Sequence, residues 1–228
     1  MLGLVLGTLR LPLILVATGS PVSAAGTNIA ISAASAGAGG LRHVREGRVD
    51  WHVVAWMAPP SVVGAVVGAL LADDVSETLL YAVIAAVLVW SGIDLALRPI
   101  TARPRERLRL VRGSAFGLLI GAIGGAVGVI LGTLRMPALV RSVGLDVRRA
   151  AGTNLVVGFL LGVAGFLTHA AATGVEWPIL GAGLAGAIPG GWLGAKATGR
   201  ISEDGLRYAL GVVLVVVGVV FGARVVIG

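Results

Sequence analysis

The sequence contains no cysteine. Disulfides, thiolate catalysis and iron–sulfur ligation are therefore excluded. Charge is scarce as well: Asp, Glu, Lys and Arg make up 13% of the 228 residues, against about 25% in an ordinary soluble domain. With 57% hydrophobic residues and a mean hydropathy of +0.97, the chain lacks the polar surface to coat a soluble globule. The three histidines, His43, His52 and His169, are scattered without metal-ligand spacing, so no metal site is expected. No HExxH motif, P-loop or paired nucleophile and base occurs, and neither an enzyme nor a cofactor is expected. Acidic residues number 11 against 18 Lys and Arg, a formal charge of +7. Because Arg sits in short loops beside apolar stretches, this excess reads as topology control and contact with anionic membrane lipids, not as nucleic-acid binding.

What the chain does have is a series of apolar runs near the ~20 residues that cross a bilayer core. Helical spans are expected at 24–41, 51–72, 76–97, 113–131, 149–172, 177–197 and 205–227, with interrupted apolar segments at 2–18 and 132–146. The 36 glycines suit close helix approach where lipid gives no hydrophobic drive for association. The Gly-xxx-Gly spacings Gly64/Gly68 and Gly190/Gly194 are read as helix packing, and Trp51, Trp56 and Trp177 as an aromatic belt. The fold class is an all-α integral membrane protein of about 7–8 transmembrane helices with re-entrant or broken segments.

Setting the second half of the chain under the first exposes an internal repeat. Gly7-Thr8-Leu9-Arg10-Leu11-Pro12 recurs as Gly132-Thr133-Leu134-Arg135-Met136-Pro137. Gly19 matches Gly144 and, after a one-residue insertion, Ala25-Gly26-Thr27-Asn28 matches Ala151-Gly152-Thr153-Asn154. Val49-Asp50-Trp51 then pairs with Val175-Glu176-Trp177, and Tyr81-Ala82 with Tyr208-Ala209. The organisation expected is a first membrane repeat at 1–98, a basic cytoplasmic linker at 99–112 and a second repeat at 113–228. Val22-Ser23-Ala24-Ala25 resembles a signal-peptide cleavage site, but the same segment recurs internally, which argues against that reading. Met1 aligns with Ala126, so Gly113 to Gly125 has no first-half partner: either the first span is lost or the true start lies upstream.

Loop charges give the relative orientation of the halves. Before the Gly-Thr-Asn element the first half holds only Arg10, whereas the second holds Arg135, Arg141, Arg148 and Arg149. The next loop reverses this, with Arg42, Arg45 and Arg48 against no Lys or Arg between Phe166 and Trp177. The following loop reverses again, with Asp73, Asp74 and Glu77 against Lys196, Arg200 and Arg207. Opposite phase in matching loops is the signature of inverted pseudo-symmetric repeats. The segments Gly7 to Pro12 and Gly132 to Pro137 are expected to be broken or re-entrant.

These residues resemble the sulfite exporter TauE/SafE family, whose members carry a twice-repeated Gly-rich, Pro-Leu, Gly, Ala-Gly-Thr pattern. Here it reads Gly124-Gly125 through Gly132, Pro137, Leu139, Gly144 and Ala151-Gly152-Thr153, with Gly7, Pro12, Leu13, Gly19 and Ala25-Gly26-Thr27 in the other copy. The run of three glycines usual before the Pro is reduced to Leu131-Gly132-Thr133 and Leu6-Gly7-Thr8. The resemblance implies a multi-pass transporter of sulfite, sulfonates or other small organosulfur anions in the prokaryotic cytoplasmic membrane.

The candidate binding residues come in matched pairs. Arg10 and Arg135 are cations in apolar surroundings, two residues before Pro12 and Pro137. Such a charge normally faces a cavity or a partner, and its planar fork of donors suits an oxyanion. Snorkelling to a headgroup or capping of backbone carbonyls is the competing reading. Thr27-Asn28 and Thr153-Asn154 each precede a long apolar span and are read as helix starts, whose N–H groups would favour an anion. His169 is weighed as a proton relay against a plain span-end residue. A secondary transporter accounts for these features together; a passive anion channel, an intramembrane enzyme and a membrane scaffold are the alternatives, and homo-oligomerisation stays open.

Overall fold

The computed structural model describes residues 2–72, 74–97, 110–172 and 174–197, together with 208, 211–212, 215–216, 218–220 and 222–223. Residues 98–109, with most of the linker expected at 99–112, and most of the expected last span fall outside the described residues; 110–112 open α5. Among those described, all regular structure is helical. The helices are α1 (Leu2–Thr18), α2 (Pro21–Arg45), α3 (Trp51–Leu70), α4 (Glu77–Leu97), α5 (Leu110–Val127), the short α6 (Gly132–Pro137), α7 (Val147–Ala172) and α8 (Trp177–Ala197). Among the described residues, Trp51–Leu70 and Arg148–Ala172 are long and apolar enough to cross a membrane, by length and composition.

Local chemistry sets the helix starts. At α2, Ser20 is the N-cap, its Oγ accepting the N–H of Ser23 at 3.4 Å, and Pro21 occupies the first position, where no N–H is needed. Asp50 caps α3 by accepting the Val53 N–H at 3.1 Å. Asp146 serves α7, its Oδ1 accepting the N–H groups of Arg148 and Arg149 at 3.1 and 3.0 Å. Between helices, the matched glycines Gly19 and Gly144 both take left-handed conformations, with φ of 65° and 89°. Both copies of the repeat thus turn at a residue whose backbone demands glycine.

The helix starts expected at Thr27-Asn28 and Thr153-Asn154 are not there. Each pair lies more than a turn inside α2 or α7, because Ser20-Pro21 and Asp146 supply caps upstream and Ala24-Ala25 and Ala150-Ala151 carry the helix on. The two interruptions expected at the Gly-Thr-Leu-Arg-x-Pro segments also divide. In the second copy α5 stops at Val127, Gly128 turns with φ 73°, the Val129 N–H closes on Gly124 O at 2.9 Å, and α6 begins at Gly132. Beyond Pro137 the chain widens into a π-helical turn, Ala138–Val143, and the Leu145 N–H reaches Leu139 O at 3.1 Å. In the first copy α1 runs unbroken from Leu2 through Pro12 to Thr18, so the expected break at Gly7 to Pro12 is absent. The physical cause of the break is the left-handed turn at Gly128 rather than the proline, which bends a helix without having to end it. The matching Gly3 stays helical.

Packing places α2 and α7 at the centre. They lie against each other, with α8 on α2, α3 on α7, α1 along α2 and α5 on α3. The α3–α5 contact runs through small residues: a Cβ added at Gly64 or Gly68 would strike the backbone of Leu118 or Ala122. The matching Gly190 and Gly194 on α8 differ, since an added Cβ would meet none of the described residues within 4 Å. The packing role expected for that second pair is not seen among the described residues. Trp51, Trp56 and Trp177 are exposed, Trp51 and Trp177 at the starts of α3 and α8.

Candidate functional site

The polar centre is built by the two Ala-Gly-Thr-Asn segments, whose Thr27, Asn28, Thr153 and Asn154 are all buried. Each of the last three positions has a different neighbour. The glycine admits the other half: an added Cβ at Gly26 would lie 2.9 Å from His169 Cβ and 3.0 Å from Gly174 O, and at Gly152 it would be 3.0 Å from His43 Cβ and against Arg48 O. The threonine caps the other half. Thr27 Oγ1 accepts the Glu176 N–H at 2.9 Å, just before α8, and Thr153 Oγ1 accepts the Asp50 N–H at 3.0 Å, just before α3. The asparagine holds the arginine of its own half, and Asn28 also reaches the other half at Gly128.

Arg10 donates from Nε to Asn28 Oδ1 at 3.0 Å and from Nη2 to Ser32 Oγ at 2.8 Å and Asn28 O at 3.3 Å. Asn28 Nδ2 in turn donates to Gly128 O at 2.9 Å, across the molecule at the turn after α5. Arg135 donates from Nη1 to Asn154 Oδ1 at 3.0 Å, and Asn154 Nδ2 donates to Gly132 O at 2.8 Å. Arg135 has no exposed surface, and among the described residues its Nε and Nη2 have no partner. Buried guanidinium donors are seldom left open, because an unmade bond there costs the desolvation of a charged group.

The structure therefore joins Arg10 to Asn28 and Arg135 to Asn154, while the threonines face away from the arginines. Pro12 lies within α1 and Pro137 ends α6; their side chains fall outside the described residues. Sequence reading passed over Ser32 and weighed His169 without its match to His43. The register that matches Asp50 with Glu176 also matches His43 with His169 and Ser32 with Gly158, so the signal was present. Both histidines are buried. His169 Nε2 lies 2.9 Å from Gly125 O, whereas neither ring nitrogen of His43 has a partner among the described residues.

Long apolar helices and a buried cation with two of its donor nitrogens unfilled among the described residues define a class: a helical membrane protein with a fixed positive charge at its core. The description "Sulfite exporter TauE/SafE" matches residues 1–221, and the chain belongs to this family of membrane transporters. It is similar to a "Probable membrane transporter protein" of Xylella fastidiosa (strain 9a5c), 28% identical over 223 residues, covering 92% of this chain and 84% of the relative. The protein of the same description in strain Temecula1 / ATCC 700964 is 29% identical over 224 residues, with the same coverage of 92% and 84%. "Probable membrane transporter protein YdhB" of Bacillus subtilis (strain 168) is 24% identical over 194 residues, 82% of this chain and 79% of the relative. No solved structure matches.

Proposed function

We propose that the protein is a multi-pass secondary transporter that carries a small anion across a prokaryotic cytoplasmic membrane, with Arg135 as the residue that receives it. The observation that carries this reading is the pair of open donors on a fully buried guanidinium. A cation held at such depth requires a compensating partner, and an anion supplies charge and acceptors together. The enclosure of Arg135 supports a carrier with an occluded site over a passive channel, whose binding groups would face an open path. Sulfite is the substrate that the family description names, and sulfonates offer the same anionic sulfur–oxygen group to a guanidinium. The two halves, 1–98 and 113–228, would act as inverted repeats flanking the basic linker 99–112, and alternating access would come from one half moving against the other.

Counterflow in proteoliposomes tests the reading. Vesicles loaded with sulfite should take up labelled sulfite faster than empty ones, and Arg135→Gln should remove the difference while leaving the protein folded. Counterflow in Arg135→Gln equal to wild type, at matched incorporation, would leave Arg135 as a structural anchor.

A further inference from the structure

Arg10 and Arg135 are matched in the repeat, yet one edge of the guanidinium differs between them. Nε and Nη2 form the side-on edge of the fork, the pair of parallel donors that can meet two oxygens of one anion. In Arg10 this edge is full: Nε is bound to Asn28 Oδ1 at 3.0 Å and Nη2 to Ser32 Oγ at 2.8 Å. In Arg135 the bond to Asn154 leaves from Nη1 instead, and among the described residues nothing fills the Nε–Nη2 edge.

The repeat gives the cause. Ser32 stands one turn after Asn28 on α2, so its hydroxyl lies beside the arginine that Asn28 holds. One turn after Asn154 on α7 stands Gly158, which is buried and offers no side chain. Tight packing fixes the serine where it is: a Cβ added at Gly7 would come within 2.7 Å of Ser32 Oγ. In the second half the corresponding residues are Gly132 and Gly158, and the hydroxymethyl group is missing from between them.

We infer that Gly158 keeps the Nε–Nη2 edge of Arg135 open for a single anion per chain, and that Ser32 has made Arg10 a structural clamp. The inference rests on the anion-transport reading and adds which arginine binds, through which edge, and which residue leaves it free. The two halves are then unequal in chemistry although alike in sequence. A serine at 158 would reach the open edge as Ser32 reaches that of Arg10. A glycine at 32 would take the hydroxyl from Nη2 of Arg10 and leave Nε on Asn28, opening half of the edge that is open on Arg135.

The experiment is isothermal titration of the purified full chain with sulfite, with melting temperature followed in parallel. Wild type should bind one sulfite per chain, and Arg135→Gln should abolish the event. Gly158→Ser should weaken binding at least tenfold without lowering the melting temperature. Ser32→Gly, which frees Nη2 alone, should show a second and weaker event per chain, lost again when Arg10→Gln is added. Unchanged affinity in folded Gly158→Ser, or a single event in folded Ser32→Gly, overturns the inference while leaving the transport reading in place. Should Gly158→Ser fail to fold, the Ser32→Gly stoichiometry decides alone. Absence of any binding by wild type to sulfite, methanesulfonate or acetate would instead remove the transport reading, and this inference with it.

Discussion

Replacing Thr153 by Val keeps the outline of the side chain and removes one oxygen. That oxygen accepts the Asp50 N–H at 3.0 Å, at the cap of α3, and Thr153 is fully buried, so water cannot take its place. An amide left without an acceptor in such a setting costs about 1–3 kcal/mol. Thr27→Val should cost a similar amount by stranding the Glu176 N–H, now 2.9 Å from Thr27 Oγ1. The Thr27 hydroxyl also donates to Ser23 O at 2.7 Å, an i−4 contact within α2, and its loss adds little because that carbonyl can keep its helical bond. The two threonines serve different helix junctions, at α3 and at α8. The double variant should therefore lose roughly the sum, about 2–6 kcal/mol, if the junctions are independent. Reversible unfolding in mixed micelles of rising denaturing-detergent fraction measures the loss, with counterflow as a control for native structure. A Thr153→Val protein within about 0.5 kcal/mol of wild type, the range of an ordinary surface substitution, would refute the capping role.

Two further outcomes follow from paired positions that the structure treats differently. Gly64→Val should cost about 3 kcal/mol or more, because its Cβ would meet the α5 backbone, whereas Gly190→Val, where an added Cβ meets no described residue within 4 Å, should stay within about 0.5 kcal/mol. Thermal melts of both variants in detergent check this, and equal shifts would contradict the asymmetric packing. Arg10→Gln should lower the melting temperature markedly, since it leaves Asn28 Oδ1 and Ser32 Oγ without their donor, while Arg135→Gln removes a buried charge with open donors and should leave the melting temperature equal or higher. The reverse order would show that Arg10, not Arg135, is the poorly compensated cation.

Much of the helical layout was legible because each apolar run is bounded by polar turns. The spans expected at 51–72, 76–97, 149–172 and 177–197 appear as Trp51–Leu70, Glu77–Leu97, Val147–Ala172 and Trp177–Ala197. Two readings failed for local reasons. Thr27-Asn28 and Thr153-Asn154 looked like caps, yet Ser20-Pro21 and Asp146 are stronger cap signals one to two turns earlier, and the asparagines were free to bind arginine. The proline in Gly-Thr-Leu-Arg-x-Pro looked like the agent of the break, but the turn belongs to Gly128, whose left-handed φ follows from its junction with α5. The contacts of Thr27 with Glu176 and of Thr153 with Asp50 were beyond reach from spacing alone. They join residues far apart in the chain and exist only once the repeat has folded onto itself.

The Ala-Gly-Thr-Asn segment thus combines requirements that no single-role reading of the motif would satisfy. Its glycine must be small because a histidine and a loop carbonyl of the opposite half press against it. Its threonine must carry an oxygen because the opposite half presents an unpaired N–H at the start of a helix. Its asparagine must offer both an acceptor and a donor, the acceptor to an arginine and the donor to a carbonyl, a pairing that aspartate or leucine of similar size could not supply. Successive residues on a helix point about 100° apart, so three in a row reach different neighbours. Here that geometry sets the two outward-facing residues against the other half and the third on the buried cation. The same four-residue segment therefore fixes how the halves meet and where the positive charge sits. A change in the first arrangement reaches the second through the rigid turn of helix that holds both.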